Sequence, residues 1–196
     1  MALACALLAA PAGAERADRT KQLVIEADQR GSIDVQGQLV TVWTGNATFS
    51  QGSLQLRADR IEVRELADGY YAAIATGTAA KPVSWHQRGD RPGEAVEGQA
   101  ERIEFDGHSN TLKLIGHAAV RRLRDGVVAD ETEGASMVWD NQTGSFKGEG
   151  GAKSPTNPSG RVRMVLTPKP EAGASGPRGA ASAPPALTPS RSLGNP

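Results

Sequence analysis

One cysteine, Cys5, is all the sulfhydryl chemistry the chain carries, and it falls within the first fourteen residues. A single thiol closes no internal disulfide, and none is needed for folding in an oxidising compartment. Cys5 is also no lipoprotein anchor, because Ala2 stands where a bulky aliphatic residue is required three positions before it. Charge bias is missing too: 22 Lys and Arg balance 22 Asp and Glu. That excludes the basic face of a general nucleic-acid binder. Beyond the N-terminus no apolar run approaches the roughly 20 residues of a membrane helix.

Signs of catalysis are equally scarce. His86, His108 and His117 are far apart, and none has metal-ligand spacing to another His, Cys or carboxylate. They read as surface histidines. The serines occupy turns without a nucleophile elbow, and "GEGG" (Gly148 to Gly151) leads into no helix, so it is no phosphate loop. The sequence therefore offers no catalytic residue, metal site or cofactor. A carboxylate pair of glycosidase type is the one enzymatic alternative, and the weaker one.

What is present begins with "MALACALLAAPAGA", apolar and closed by a small-x-small signature at Ala12-Gly13-Ala14. Residues 1–14 read as a secretory signal, with Glu15 opening the mature chain. A buried N-terminal helix is the alternative. From 169 to 196 the chain is rich in Pro, Ala, Gly and Ser with almost no bulky apolar residue, the composition of a disordered tail. Residues 15–168 are left as the folded domain.

Across Gln22 to Lys147 the apolar period is two. Leu23 and Ile25, Ile33 and Val35, Trp43 and Phe49, and Leu54 and Leu56 each alternate with polar neighbours. This is half-buried strand patterning. Gly, Asn and Asp turn signals punctuate it, giving about fifteen short antiparallel strands. The fold class is all-β, an elongated sandwich or jellyroll. At Asp59-Arg60 the phase slips from even positions (Leu54, Leu56, Ala58) to odd ones (Ile61, Val63), which calls for a bulge or corner.

The chain also repeats itself. "TGNATFSQGSLQLRADRIEV" (Thr44 to Val63) lies over "IGHAAVRRLRDGVVADETEG" (Ile115 to Gly134), matching Gly45 to Gly116, Ala47 to Ala118, Ala58 to Ala129 and Asp59 to Asp130. The fragment "ADRIEV" recurs as "AERIEF" (Ala100 to Phe105) and, weakly, as "GASMVWD" (Gly134 to Asp140). Stacked strand pairs of this kind build one continuous core and leave the two end strands open.

The inward phase carries Trp43, Phe49, Leu54, Leu56, Trp85, Phe105, Leu112, Leu114, Trp139 and Phe146. It suits a sandwich core or, alternatively, a groove between imperfectly closed sheets that would take acyl chains. Lys113, Arg121, Arg122 and Arg124 are the candidate rim for an anionic head group; a solvated strand face is the other reading of that cluster. The segment Arg161 to Thr167 reads as an edge strand, with Val162, Met164 and Leu166 on one phase and Arg161 and Arg163 on the other. It is the expected docking edge.

With these residues in view the chain resembles the periplasmic lipopolysaccharide-transport proteins of the LptA/OstA-like family. The words that carry the likeness are "LVIEADQRGSIDVQGQLVTVWTGNATFSQGSLQLRADRIEV", "GYYAAIATGTAAKPVSWHQ", "EAVEGQAERIEFDGHSNTLKLIGHAAV" and "GRVRMVLTPK". Where the second block usually has Asn, this chain has His117.

The resemblance implies an OstA-like β-jellyroll over 15–168, open at both ends. It further implies a non-enzymatic periplasmic carrier that bridges the inner and outer membranes. Its expected partners are lipopolysaccharide through lipid A, related β-jellyroll domains of the inner- and outer-membrane transport components, and further copies joined head to tail. Lipid contacts map by motif onto Leu23, Trp85 and Phe105. Ile25, Ile33, Val35, Trp43, Phe49, Leu54, Leu56, Leu112, Leu114 and Trp139 extend that set along the inward phase. The competing expectation is a β-sandwich module that carries no lipid and docks only by edge-strand pairing.

Overall fold

The computed structural model describes residues 18–151 and 159–167; the proposed signal and tail lie outside them. The described residues form twelve strands in two sets of six. The first set is β1 (Leu23–Glu26), β2 (Gln29–Val35), β3 (Gln38–Gln51), β4 (Leu54–Glu65), β5 (Tyr71–Thr76) and β6 (Val83–Arg88). The second set is β7 (Glu94–Ala100), β8 (Arg102–Asp106), β9 (Thr111–Arg124), β10 (Val127–Asp140), β11 (Ser145–Glu149) and β12 (Arg163–Leu166). Every pairing is antiparallel.

The two sets are wired alike. In each, two short strands flank one side of a long hairpin: β1 and β2 pair successive halves of β3, and β7 and β8 pair successive halves of β9. Two more short strands line the other side. β6 and β5 pair successive halves of β4, and β12 and β11 pair successive halves of β10. The long strands β3, β4, β9 and β10 thus run through two leaves. The first leaf has the order β1-β3-β4-β6-β7-β9-β10-β12 and the second β2-β3-β4-β5-β8-β9-β10-β11. Twelve strands replace the expected fifteen or so because these four, 12 to 14 residues each, stay continuous across the bend.

The bend has a local cause. On β3, Gly45 (φ 79°) and Asn46 (φ 45°) are both left-handed; on β9, Gly116 (φ 80°) and His117 (φ 46°) repeat the pair. Each doublet adds a residue relative to its partner strand, and the register shifts there. Two consecutive left-handed residues rotate the ladder sharply, which is how a bulge turns a corner. The expected corner at Asp59-Arg60 is this one, seen from the opposite strand: Ala47 pairs Ala58 and Thr44 pairs Arg60.

An acid secures each corner. The Asp28 N–H donates to Gly45 O at 2.9 Å and the Asn46 side chain donates to Asp28 Oδ2 at 3.0 Å. The Glu101 N–H donates to Gly116 O at 3.0 Å, and His117 Nδ1 meets the Glu101 carboxylate. His117 is therefore a corner residue in the role of Asn46, which a reading as a surface histidine does not reveal.

The constant spacing of the sequence repeat holds only on the outgoing strands. Ala118 pairs Gly134, not Ala129, because the second hairpin runs on to a turn at Asp125-Gly126 and carries an extra irregularity at Val128/Asp130. The equivalent of Ala58 in the second set is Gly134, which pairs Ala118 as Ala58 pairs Ala47, in line with the fainter "GASMVWD" match.

A candidate functional site in the apolar interior

Between the leaves lies one apolar cluster that draws on both sets, with Leu23 and Ile25 of β1 at one end and Trp139 of β10 and Phe146 of β11 at the other. Its largest fully buried side chains are Trp85 and Trp139, followed by Phe49, Leu56, Ile61, Ile103, Leu112 and Leu114. Two aromatic pairs join leaf to leaf. Phe49 on the first meets Phe105 on the second edge to face, with centroids 5.4 Å apart. Trp85 meets Trp139 at 5.7 Å, and Phe146 stacks on Trp139 at 6.2 Å. The offset and edge arrangements are those that aromatic quadrupoles favour.

Of the residues expected to face inward, Phe49, Leu54, Leu56, Trp85, Phe105, Leu112, Leu114 and Trp139 are buried in this cluster. Leu23, Ile25 and Trp43 are partly buried and pack against it. Ile33 and Val35 are placed otherwise. They are 40% and 44% exposed, and Ile33 pairs with Val40 on the outer face. The cause is a phase flip at Asp28: Leu23, Ile25 and Ala27 point in, and after the corner Arg30 does, its guanidinium 5.4 Å from the Trp43 ring. Alternation within one strand does not carry across a corner.

The four cations of the expected rim do not form one rim. Lys113 lies on the second leaf opposite Glu104. Arg121 is on the outer face of the first leaf, bonded to Glu131 at 2.6 Å and 3.9 Å from Glu97. The hydrogen bond to Glu131 raises the Arg121 pKa against an opposing desolvation effect, so its charge is fixed at any working pH. Arg122, one residue on, points the other way. It crosses the mouth between the leaves, donating from Nη2 to Gly144 O at 2.6 Å, with its guanidinium 5.5 Å from the Trp139 ring. Arg124 stands 3.8 Å from Asp130.

Two surface concavities lie on the outer faces. One of about 430 Å³ is lined by Gln55, Arg57, Ser84, His86, Gln99 and Arg121, with Trp85 among the others, and another of about 390 Å³ by Val40, Glu62, Arg64, Ile74, Glu104 and Lys113 among others. Among the described residues no group of three or more His, Cys, Asp or Glu is placed to hold a metal ion.

The two ends of the sheet are strand edges. β12 pairs residues 130–133 of β10, which puts Met164 opposite the buried Thr132 and Leu166 opposite Asp130, on the interior side. Arg163 faces Glu133 at 4.0 Å on the other side. Val162, Met164 and Leu166 are 40%, 49% and 63% exposed. At the opposite end, Leu23 and Ile25 of β1 present a similar apolar phase.

Comparison with known proteins gives a consistent picture. Residues 24–145 match the family described as LptA/(LptD N-terminal domain) LPS transport protein. The lipopolysaccharide export system protein LptA of Escherichia coli K12 is 32% identical over 178 residues, covering 86% of this chain and 84% of that one. The LptA of Haemophilus influenzae is 25% identical over 166 residues, covering 85% and 89%. The crystal structure of LptH, the LptA-homologous periplasmic component of the lipopolysaccharide transport device of Pseudomonas aeruginosa, shares the fold. Its TM-score is 0.63 at 23% identity, over 77% of this chain and 99% of that one.

Proposed function

Because the chain belongs to the LptA/LptD N-terminal-domain family of lipopolysaccharide transport proteins, we propose that it is a periplasmic carrier that holds the acyl chains of lipopolysaccharide between its leaves and bridges the two membranes. The observation that supports this most is the apolar cluster itself, which runs from Leu23 and Ile25 of β1 through to Trp139 of β10 and Phe146 of β11. A continuous apolar track lets a chain move lengthwise without re-entering water. Each methylene kept out of water is worth about 0.8 kcal/mol, so any gap in the track would be a steep barrier.

The test is native mass spectrometry of protein purified from the periplasm. We expect adducts with the mass of lipopolysaccharide or lipid A. Lipid-free protein alone, when the same cells are making lipopolysaccharide, would favour a module that docks without carrying lipid.

The bridge requires end-to-end contact, and the fold contains its own template for one. Inside the molecule, the β5 and β6 end of the first set is joined to β8 and β7 of the second by main-chain pairing. The equivalent edges left over are β11 and β12 at one end and β1 and β2 at the other. A second copy, or a related domain, pairing there would extend both leaves and the apolar track together. Deleting residues 160–196 should therefore abolish concentration-dependent association in sedimentation velocity, whereas deleting 170–196 should not. Association that persists without the β12 strand would place the contact elsewhere.

A further inference from the structure

We propose that the segment Asp18 to Lys21 is a strap that latches the mouth between the leaves, and that lipid loading requires Arg19 to let go. The inference rests on the carrier reading above for its purpose, but its geometry stands alone.

The strap is bonded to both leaves. On the first leaf, the Asp18 carboxylate accepts from the Ser53 N–H at 2.8 Å, from the Ser53 hydroxyl, and from Gln87 Nε2 at 3.4 Å. Gln51 Nε2 donates to the carbonyls of Arg19 and Lys21 at 3.1 and 3.2 Å. Gly52 (φ +63°) is glycine for this reason as well: a Cβ there would fall 2.0 Å from Asp18 Oδ1. On the second leaf, Arg19 Nη2 donates to His108 O at 2.8 Å, and its guanidinium lies 4.3 Å from the Tyr70 ring centroid.

Ser53 immediately precedes β4 and Tyr70 follows its far end, so one short segment ties together the two limbs of a single bent strand. His108 is itself held there by Asp68 and lies 5.9 Å from Tyr70. In the second set Arg122 makes a comparable crossing, through Gly144 O.

Opening has to occur, because the interior is filled. The Phe49–Phe105 and Trp85–Trp139 rings touch across the leaves, so an acyl chain enters only if the leaves part. The corners supply a hinge line, and the strap stands across the far side of it. Its contacts are polar and can be exchanged for water at small net cost, unlike the apolar contacts of the interior. The two anchorages are unequal. Asp18 is 7% exposed and has three donors, whereas among the described residues Arg19 makes one side-chain hydrogen bond and one ring contact, and its buried Nε finds no partner there. Arg19 is the end that releases first.

The experiment compares the cross-leaf distance with lipid uptake. Nitroxides are placed at Gln55→Cys and Ala67→Cys, both exposed and on opposite limbs, in a full chain carrying Cys5→Ser. Pulsed electron–electron resonance reads their separation with and without purified lipopolysaccharide. Arg19→Ala should lengthen and broaden the lipid-free distance distribution toward that of the lipid-bound protein. It should also tighten apparent lipid binding on the order of tenfold, since less of the population is held closed. Arg57→Ala, on the outer face, should change neither.

Asp18→Ala removes the stronger anchor and should open the mouth further; if it unfolds the protein, Arg19→Ala remains decisive. An Arg19→Ala distribution identical to that of the parent overturns the latch even if lipid binds. A widened mouth with no lipid bound by either protein would leave the latch standing and count against the carrier reading.

Discussion

Replacing Trp85 by Ala is expected to lower the unfolding free energy of the lipid-free protein by about 3–5 kcal/mol, the range for deleting a fully buried aromatic side chain. Trp85 is 1% exposed and lies against Trp139, which is equally buried. Gly98 packs directly under the ring, so close that a Cβ there would come within 2.9 Å of it, and removal of the indole leaves that backbone facing a cavity. For a chain of this size the loss corresponds to a fall in Tm of about 10 °C, readable by thermal unfolding. Lipopolysaccharide should recover part of it, since a ligand that binds only the folded state stabilises by mass action. Trp139→Ala should behave alike. A loss below about 1 kcal/mol for both would mean that the leaves are not packed on one another.

Gly116→Val should be nearly as damaging, for a different reason. At φ 80° a β-branched residue is in a forbidden region, and the new Cβ would meet Glu101 Oε2 at 2.9 Å and Glu101 Cβ at 3.1 Å. We expect a cost of about 2–3 kcal/mol from strain at this position. Gly45→Val should follow suit, with its Cβ 2.6 Å from Asp28 Oδ2. Gly126→Val separates the two components: its φ is +77° but nothing lies within 4 Å, so it carries strain without collision. His117→Asn should be neutral or mildly stabilising, because Asn tolerates the left-handed region better and reproduces the Asn46 corner. Chemical denaturation of the four variants ranks them. Equal losses at Gly116 and Gly126 would remove the corner acid from the explanation.

Much of this was legible from the chain. The alternation of Leu54, Leu56 and Trp85 gave strands with one buried phase, the slip at Asp59-Arg60 gave a corner, and the match of Gly45 to Gly116 gave the repeat that the corners explain. The misplacement of Ile33 and Val35 has a specific origin. "EADQR" at Glu26 to Arg30 contains the same small-acid corner as "QAERI" at Gln99 to Ile103, but Arg30 and Ser32 stand where the apolar Ile103 and Phe105 show the flip in the second set. Nor does a pattern disclose that the second hairpin is longer, since an insertion of two-period strand looks like more strand.

The crossing contacts were out of reach altogether. Asp18 meets residues 35 and 69 positions away and Arg19 one 89 positions away, through polar side chains that local sequence does not distinguish from solvated ones.

The claim on which the rest depends is that acyl chains travel on the inner face. Site-specific photo-crosslinking in living cells tests it directly, with the reactive group at Leu23, Trp85 or Phe105 on that face and at Gln55 or Arg57 on the outer one. The inner positions should capture lipopolysaccharide and the outer positions should not. Capture from both faces alike, or from the outer face alone, would contradict the account.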